Sequence, residues 1–124
     1  MAKILIIEDE PAIRRVLTKI LSEENSNYNV EEAEDGLAGV EKVKDEDYDL
    51  VLCDIKMPKM DGFELYIKIR EKDPKVKICF LTASELYYEK FRKARDEFGR
   101  TIGENYFIQK PIKSEELIRK LEDI

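Results

Sequence analysis

The sequence predicts a doubly wound α/β fold, a five-stranded parallel sheet with helices on both faces, (βα)5. Three observations predict it. Short, largely apolar runs recur along the 124 residues, amphipathic stretches at helical spacing separate them, and the two kinds alternate five times. Strands covered on both faces read as continuous apolar runs, not as alternating ones. Strand–helix alternation is the pattern of a parallel sheet. The length fits one compact domain, and residues 1–124 are read as a single unit.

Lys3–Ile7 (KILII) is the first strand. Pro11 opens a helix, because its missing N–H costs nothing at the first position, and Ile13, Val16, Leu17, Ile20 and Leu21 follow at helical spacing. Asn25–Asn29 reads as a turn, Tyr28–Ala33 as a weaker strand, and Leu37, Val40 and Val43 as the stripe of a second helix. Asp49–Cys53 (DLVLC) is another buried strand, and Pro58 and Gly62 punctuate the next stretch. Asp61 with Glu64 three residues later resembles a capping box, with Asp in place of Ser or Thr. Leu65, Ile69 and Phe63 face the core from that helix, and Pro74 ends it. Val76–Leu81 (VKICFL) is a strand. Glu85–Phe98 is a charged helix with Tyr87, Phe91, Ala94 and Phe98 on one stripe, and Gly99 closes it. Tyr106–Ile108 is a short strand, and Ser114 caps a last helix carrying Leu117, Ile118, Leu121 and Ile124.

Composition removes several functions. With 22 basic and 28 acidic side chains the formal charge is −6, which disfavours a nucleic-acid surface. No apolar run approaches the ~20 residues of a membrane helix, and acidic residues follow the first apolar run too soon for a signal peptide. The chain has no His, which excludes His triads, His-ligated zinc and an internal phosphohistidine. Cys53 and Cys79 lie in apolar runs and read as two buried thiols of a cytoplasmic protein, not as a disulfide.

In sheets of this kind ligands bind beyond the carboxyl ends of the strands, at the switch point of strand order. Glu8 and Asp9 follow the first run, Asp54 the third, Thr82 and Ser84 the fourth, and Lys110 and Pro111 the fifth. Singly, each has a plainer use: an acidic residue caps the next helix, Thr82 closes a turn, Lys110 is solvated. Together they bring three carboxylates to one edge, and such a cluster persists when a cation binds. Oxygen donors with room for water suit Mg²⁺. A divalent ion beside a carboxylate nucleophile, with a hydroxyl and an ammonium nearby, supplies the charge neutralisation and positioning that phosphoryl transfer needs.

These residues resemble the receiver domain of two-component response regulators over essentially the whole chain. The resemblance rests on Glu8-Asp9, on Asp54 within DIKMPKMDG, on LTAS with Thr82, and on Lys110-Pro111. It implies a flavodoxin-like sheet of order 2-1-3-4-5, a fold for which a receiver domain is a standard example. It implies that Asp54 is the phosphoacceptor, that Glu8, Asp9, Asp54 and the Lys56 backbone carbonyl hold Mg²⁺, that Thr82 is the switch hydroxyl, that Lys110 pairs with the acceptor and then the phosphoryl group, and that the Lys110–Pro111 bond is cis. Phe107 stands at the place of the family's switch aromatic, where it has no hydroxyl to bond. Glu8 stands where Asp is commoner, and the stretch from Thr82 to Gly103 is longer than usual.

The function implied is that of a signalling domain, an enzyme only toward its own phosphorylation and slow dephosphorylation. The donor would be a phosphohistidine on a sensor histidine kinase or His-containing phosphocarrier. The output would be a downstream protein, with no nucleic acid or membrane contacted directly, and the chain a monomer or weak dimer. Residues 85–102, with the last strand and helix, are the expected output face. With no output module after the fifth helix, the chain reads either as a stand-alone docking protein or as a fragment of a longer regulator. Two rivals remain. One is a pseudo-receiver that is never phosphorylated. The other is a haloacid-dehalogenase-type phosphohydrolase, which needs a second Asp where this chain has Lys56.

Overall fold

The computed structural model describes residues 2–24, 28–54, 60, 62–82, 107–109, 115, 118 and 119. The apolar runs form five parallel strands, β1 (Lys3–Ile7), β2 (Asn29–Ala33), β3 (Leu50–Asp54), β4 (Lys77–Thr82) and β5 (Phe107–Gln109), and the amphipathic stretches form α1 (Pro11–Glu24), α2 (Gly36–Asp45) and α3 (Gly62–Lys72). The sheet order is β2-β1-β3-β4-β5, all pairs parallel. Order reverses between β1 and β3, so the switch point lies where these two strands end.

The two-residue period of the strands splits the core in two. Ile4, Ile6, Leu50, Leu52, Cys79 and Leu81 pack with Leu17 and Leu21 of α1. Leu5, Ile7, Val51, Cys53, Ile78 and Phe80 pack on the other face with Val43, Leu65 and Ile69 of α2 and α3. Cys53 and Cys79 form no disulfide, are buried, and lie in different halves of this core.

Three strands sit one residue later than their apolar runs predict. β3, β4 and β5 end at Asp54, Thr82 and Gln109, not at Cys53, Leu81 and Ile108. Hydropathy reports burial, whereas backbone pairing continues to the polar residue at the rim, where Asp54 pairs with Leu81 and Thr82 with Gln109. Two side chains expected in helix stripes are solvent-facing: Val16 and Leu37 are each 55% exposed. At about 100° per residue, Val16 lies about 120° from the midline of Leu17 and Leu21, outside the narrow stripe a helix presents to a sheet.

α2 approaches the sheet through glycine instead. A Cβ on Gly39 would lie 2.9 Å from Ile7 Cγ1, and closer still to its Cδ1. Ile7 is fully buried and has little room to yield. Gly39→Ala gains about 1 kcal/mol of helix propensity but overpacks the core at roughly 1–3 kcal/mol, so its urea midpoint should fall. Ile7→Val removes Cδ1, and a double-mutant cycle should show coupling of about 0.5–3 kcal/mol. Strict additivity would mean that the two sites do not touch. At the start of α2, Asp35 caps the helix by accepting from the Ala38 N–H at 2.8 Å.

The amino-terminal rim of the sheet is laced by charge. Lys3 Nζ bonds the carboxylates of Glu31 and Glu46, Lys42 reaches Glu31 at 3.4 Å, and the Tyr48 hydroxyl donates to both acids at 3.3 Å. Burial and then the charges of these acids push the Tyr48 hydroxyl up, so it remains a donor. The hydrogen bond from Lys3 holds the Glu46 carboxyl below its ordinary 4.5. A depressed carboxylate contributes stability that is present above the unfolded value and lost as pH falls through the folded one. Glu46→Gln should therefore flatten the decline of urea midpoint below pH ~4.5. An acid limb of unchanged slope would count against the bond.

The expected helix at 85–98 with its aromatic stripe, the Asn25–Asn29 turn apart from Tyr28 and Asn29, the Asp61 cap, the core role of Phe63 and most of the last helix lie outside the described residues. Glu115, Ile118 and Arg119 are helical. Among the described residues no helix is long and apolar enough to cross a membrane.

Candidate functional site

Ile7 of β1 is paired with Cys53 of β3. The next residue of each chain segment is acidic, so Glu8 and Asp54 arrive side by side at the switch point, with Asp9 one residue further. Glu8 is fully buried, Asp54 is buried and Asp9 is half-buried. Their carboxylate oxygens lie within 4.8 Å of one another. Two unit charges at that spacing repel by roughly 3 kcal/mol at an effective dielectric of about 20. Three such groups at a partly buried rim could together hold a cation. The donors are all carboxylate oxygens, with no sulfur or nitrogen, which fits a hard ion such as Mg²⁺ better than zinc or copper.

Among the described residues, backbone pairing and the Arg14 guanidinium tie down the Glu8 end of the trio. The Glu8 N–H donates to the Ala33 carbonyl at 3.2 Å, and the Glu8 carbonyl accepts from Arg14 Nη1 at 2.7 Å. Arg14 is in the first turn of α1, and its Nε also meets Glu32 Oε1 at 3.2 Å. The sequence reading missed this arginine. Its position just after the acidic pair was visible, but its partner on β2 lies 18 residues away, beyond any local pattern.

Cys53 precedes Asp54 and is fully buried. Burial first, and then the neighbouring Cys79, Asp54 and Glu8 groups, push its thiol well above the ordinary range. It stays protonated and is no nucleophile at neutral pH.

Of the other sequence-predicted residues, Thr82 ends β4 one position beyond Leu81, the partner of Asp54, so its backbone stands at the same rim. Phe107 opens β5 opposite Phe80. The side chains of Thr82 and Phe107, and Lys56, Ser84, Lys110 and Pro111 altogether, lie outside the described residues.

A family model, the response regulator receiver domain, matches residues 4–122. The chain is 38% identical over 109 residues to the sensor protein EvgS of Escherichia coli, covering 88% of this chain and 8% of that protein. It is 37% identical over 119 residues to the transcriptional regulatory protein ResD of Bacillus subtilis, covering 96% of this chain and 46% of ResD. The chain thus spans less than half the length of these two curated relatives. Among solved structures, the chemotaxis protein CheY4 of Vibrio cholerae aligns with a TM-score of 0.85 at 27% identity, covering 100% of this chain and 98% of that one. With a family match that runs through all five strands, and a solved neighbour that aligns end to end, the chain belongs to the response regulator receiver domains.

Proposed function

We propose that the chain, as one receiver domain over residues 1–124, takes a phosphoryl group from a phosphohistidine of a sensor histidine kinase or His-containing phosphocarrier onto Asp54. The observation that carries this reading is the trio of carboxylates converging at the β1–β3 switch point with Asp54 among them. In the transfer, a carboxylate oxygen of Asp54 attacks phosphorus, the bond from phosphorus to the donor imidazole breaks, and an acyl phosphate forms. Mg²⁺, when bound, neutralises phosphoryl oxygens and screens the three carboxylates from one another. Glu8, Asp9, Asp54 and the Lys56 backbone carbonyl would hold that ion. Lys110 contributes an ammonium to the phosphoryl oxygens.

The product adds roughly −2 charge and three acceptor oxygens at the rim. The Thr82 hydroxyl donates to one of them, and the Phe107 ring repacks beside it by shape alone, since it carries no hydroxyl. The surface that changes is the protein-binding output, assigned to residues 85–102 with β5 and the last helix. The domain acts on itself alone, through phosphorylation and slow dephosphorylation, in the cytoplasm, as a monomer or weak dimer.

Incubation with MgCl₂ and acetyl phosphate, followed by intact mass, tests the reading. One added phosphoryl group is expected. No addition would favour a phosphate-independent binding module, and rapid multiple turnover a phosphohydrolase. In the same buffer Mg²⁺ alone should raise the melting temperature, because an ion bound only by the folded state adds ~2.7 kcal/mol at one hundred times its dissociation constant. Asp9→Asn should lose most of that rise. A melting temperature that millimolar Mg²⁺ leaves unmoved would contradict the metal assignment.

A further inference from the structure

The Glu8 carbonyl belongs to the peptide that joins Glu8 to Asp9, and that peptide is a rigid plane. Its orientation sets where both carboxylates leave the backbone. Arg14 Nη1 donates to this carbonyl at 2.7 Å, while Arg14 Nε forms an ion pair with Glu32 Oε1 at 3.2 Å, and the Glu8 N–H is tied to Ala33 at 3.2 Å. The Arg14 side chain is 19% exposed. The acidic rim is therefore gripped from the helix that comes after it and from the strand beside it.

We infer that Arg14 is a positioning residue for the cation site, a guanidinium braced by Glu32 that fixes the Glu8–Asp9 peptide so that both carboxylates meet Asp54. The inference rests on the proposed metal site and goes beyond it to a residue that touches neither metal nor phosphoryl group.

Charge and geometry make opposite forecasts here, which makes the role measurable. Arg14 is a cation beside a cation site, so by Coulomb's law alone its removal should tighten Mg²⁺. As an orienting group, its removal should weaken Mg²⁺, and groups that orient metal ligands typically alter affinity by about 10–100-fold. Lys keeps the charge but cannot bond the Glu8 carbonyl and Glu32 at once from a planar fork.

MgCl₂ titrations of the full chain, followed by amide NMR shifts at Glu8 and Asp9, should be run on wild type, Arg14→Gln, Arg14→Lys, Glu32→Gln and Asp9→Asn, with urea midpoints alongside. Both Arg14 variants should bind Mg²⁺ about tenfold or more weakly, and Glu32→Gln, at an exposed brace, should fall between them and wild type. Arg14→Gln binding as tightly as wild type or tighter overturns the inference, and so does full rescue by Lys, whatever the urea midpoints do. If wild type binds no Mg²⁺, or if Asp9→Asn leaves binding unchanged, the metal site itself is wrong and the inference goes with it. Failure confined to the Arg14 and Glu32 variants leaves the metal site standing.

Discussion

Asp54→Asn should leave the chain folded and abolish its phosphorylation. Asn keeps the volume and a carbonyl oxygen but cannot form an acyl phosphate. Asp54 is buried at the end of β3 with its carboxylate oxygens among those of Glu8 and Asp9. The loss should be complete, because no other described carboxylate both ends the central strand and lies within that trio. Intact mass after acetyl phosphate and MgCl₂ should show only the unmodified chain, where wild type shows one added group. The substitution also removes one of three mutually repelling charges. Without Mg²⁺ the variant should therefore melt above wild type, and added Mg²⁺ should shift it less. Labelling of the Asn variant to the wild-type level would sink the assignment of Asp54.

Phe80→Ala should produce the largest loss of stability of any single change suggested. Among the described residues Phe80 is the largest of the fully buried side chains, and it lies in the half of the core shared with α2 and α3. Its ring stands 6.1 Å from that of Tyr66, tilted at 52°, a favourable aromatic geometry. Truncation should cost about 3–5 kcal/mol, a large part of the 5–15 kcal/mol by which a domain is usually stable. The urea midpoint reads it directly. A cost below about 1 kcal/mol would mean that α3 does not seal this side of the sheet as described. Phe80→Leu, which retains most of the apolar volume, should recover the greater share.

The succession of strands was legible because β1, β3 and β4 each announce themselves by an apolar run that must be covered on both faces, whereas β2, NVEEA, gave a weaker signal and the order in the sheet came from the family resemblance. The Glu8, Asp9 and Asp54 cluster was legible for a related reason: the residue after each run falls at one rim, whatever the details of packing. Other features were not. Tyr48 and Met60 are buried although they sit in charged or Pro-rich surroundings, because their neighbours in space come from other elements. The buried face of α2 contains Gly36 and Gly39, which no hydrophobic stripe can reveal, and the exposed Leu37 took their place in the periodic reading. Arg14 was one basic residue among 22 until β2 supplied Glu32 beside it. Hydropathy finds what is buried against a surface, and pairing across long sequence separations decides what holds it there.

β3 has a strand on each side and every one of its five residues buried. Amides in such a strand exchange with solvent only when the whole domain opens, so β3 should hold the slowest-exchanging protons in the chain. The carboxylate proposed as the acceptor is thus mounted on a strand that is buried throughout and paired on both sides. If Asp54 takes up a phosphoryl group as proposed, the new charge would push against a support that does not give way. Under that proposal the buried core would stay fixed, and any change of shape would fall on the rim.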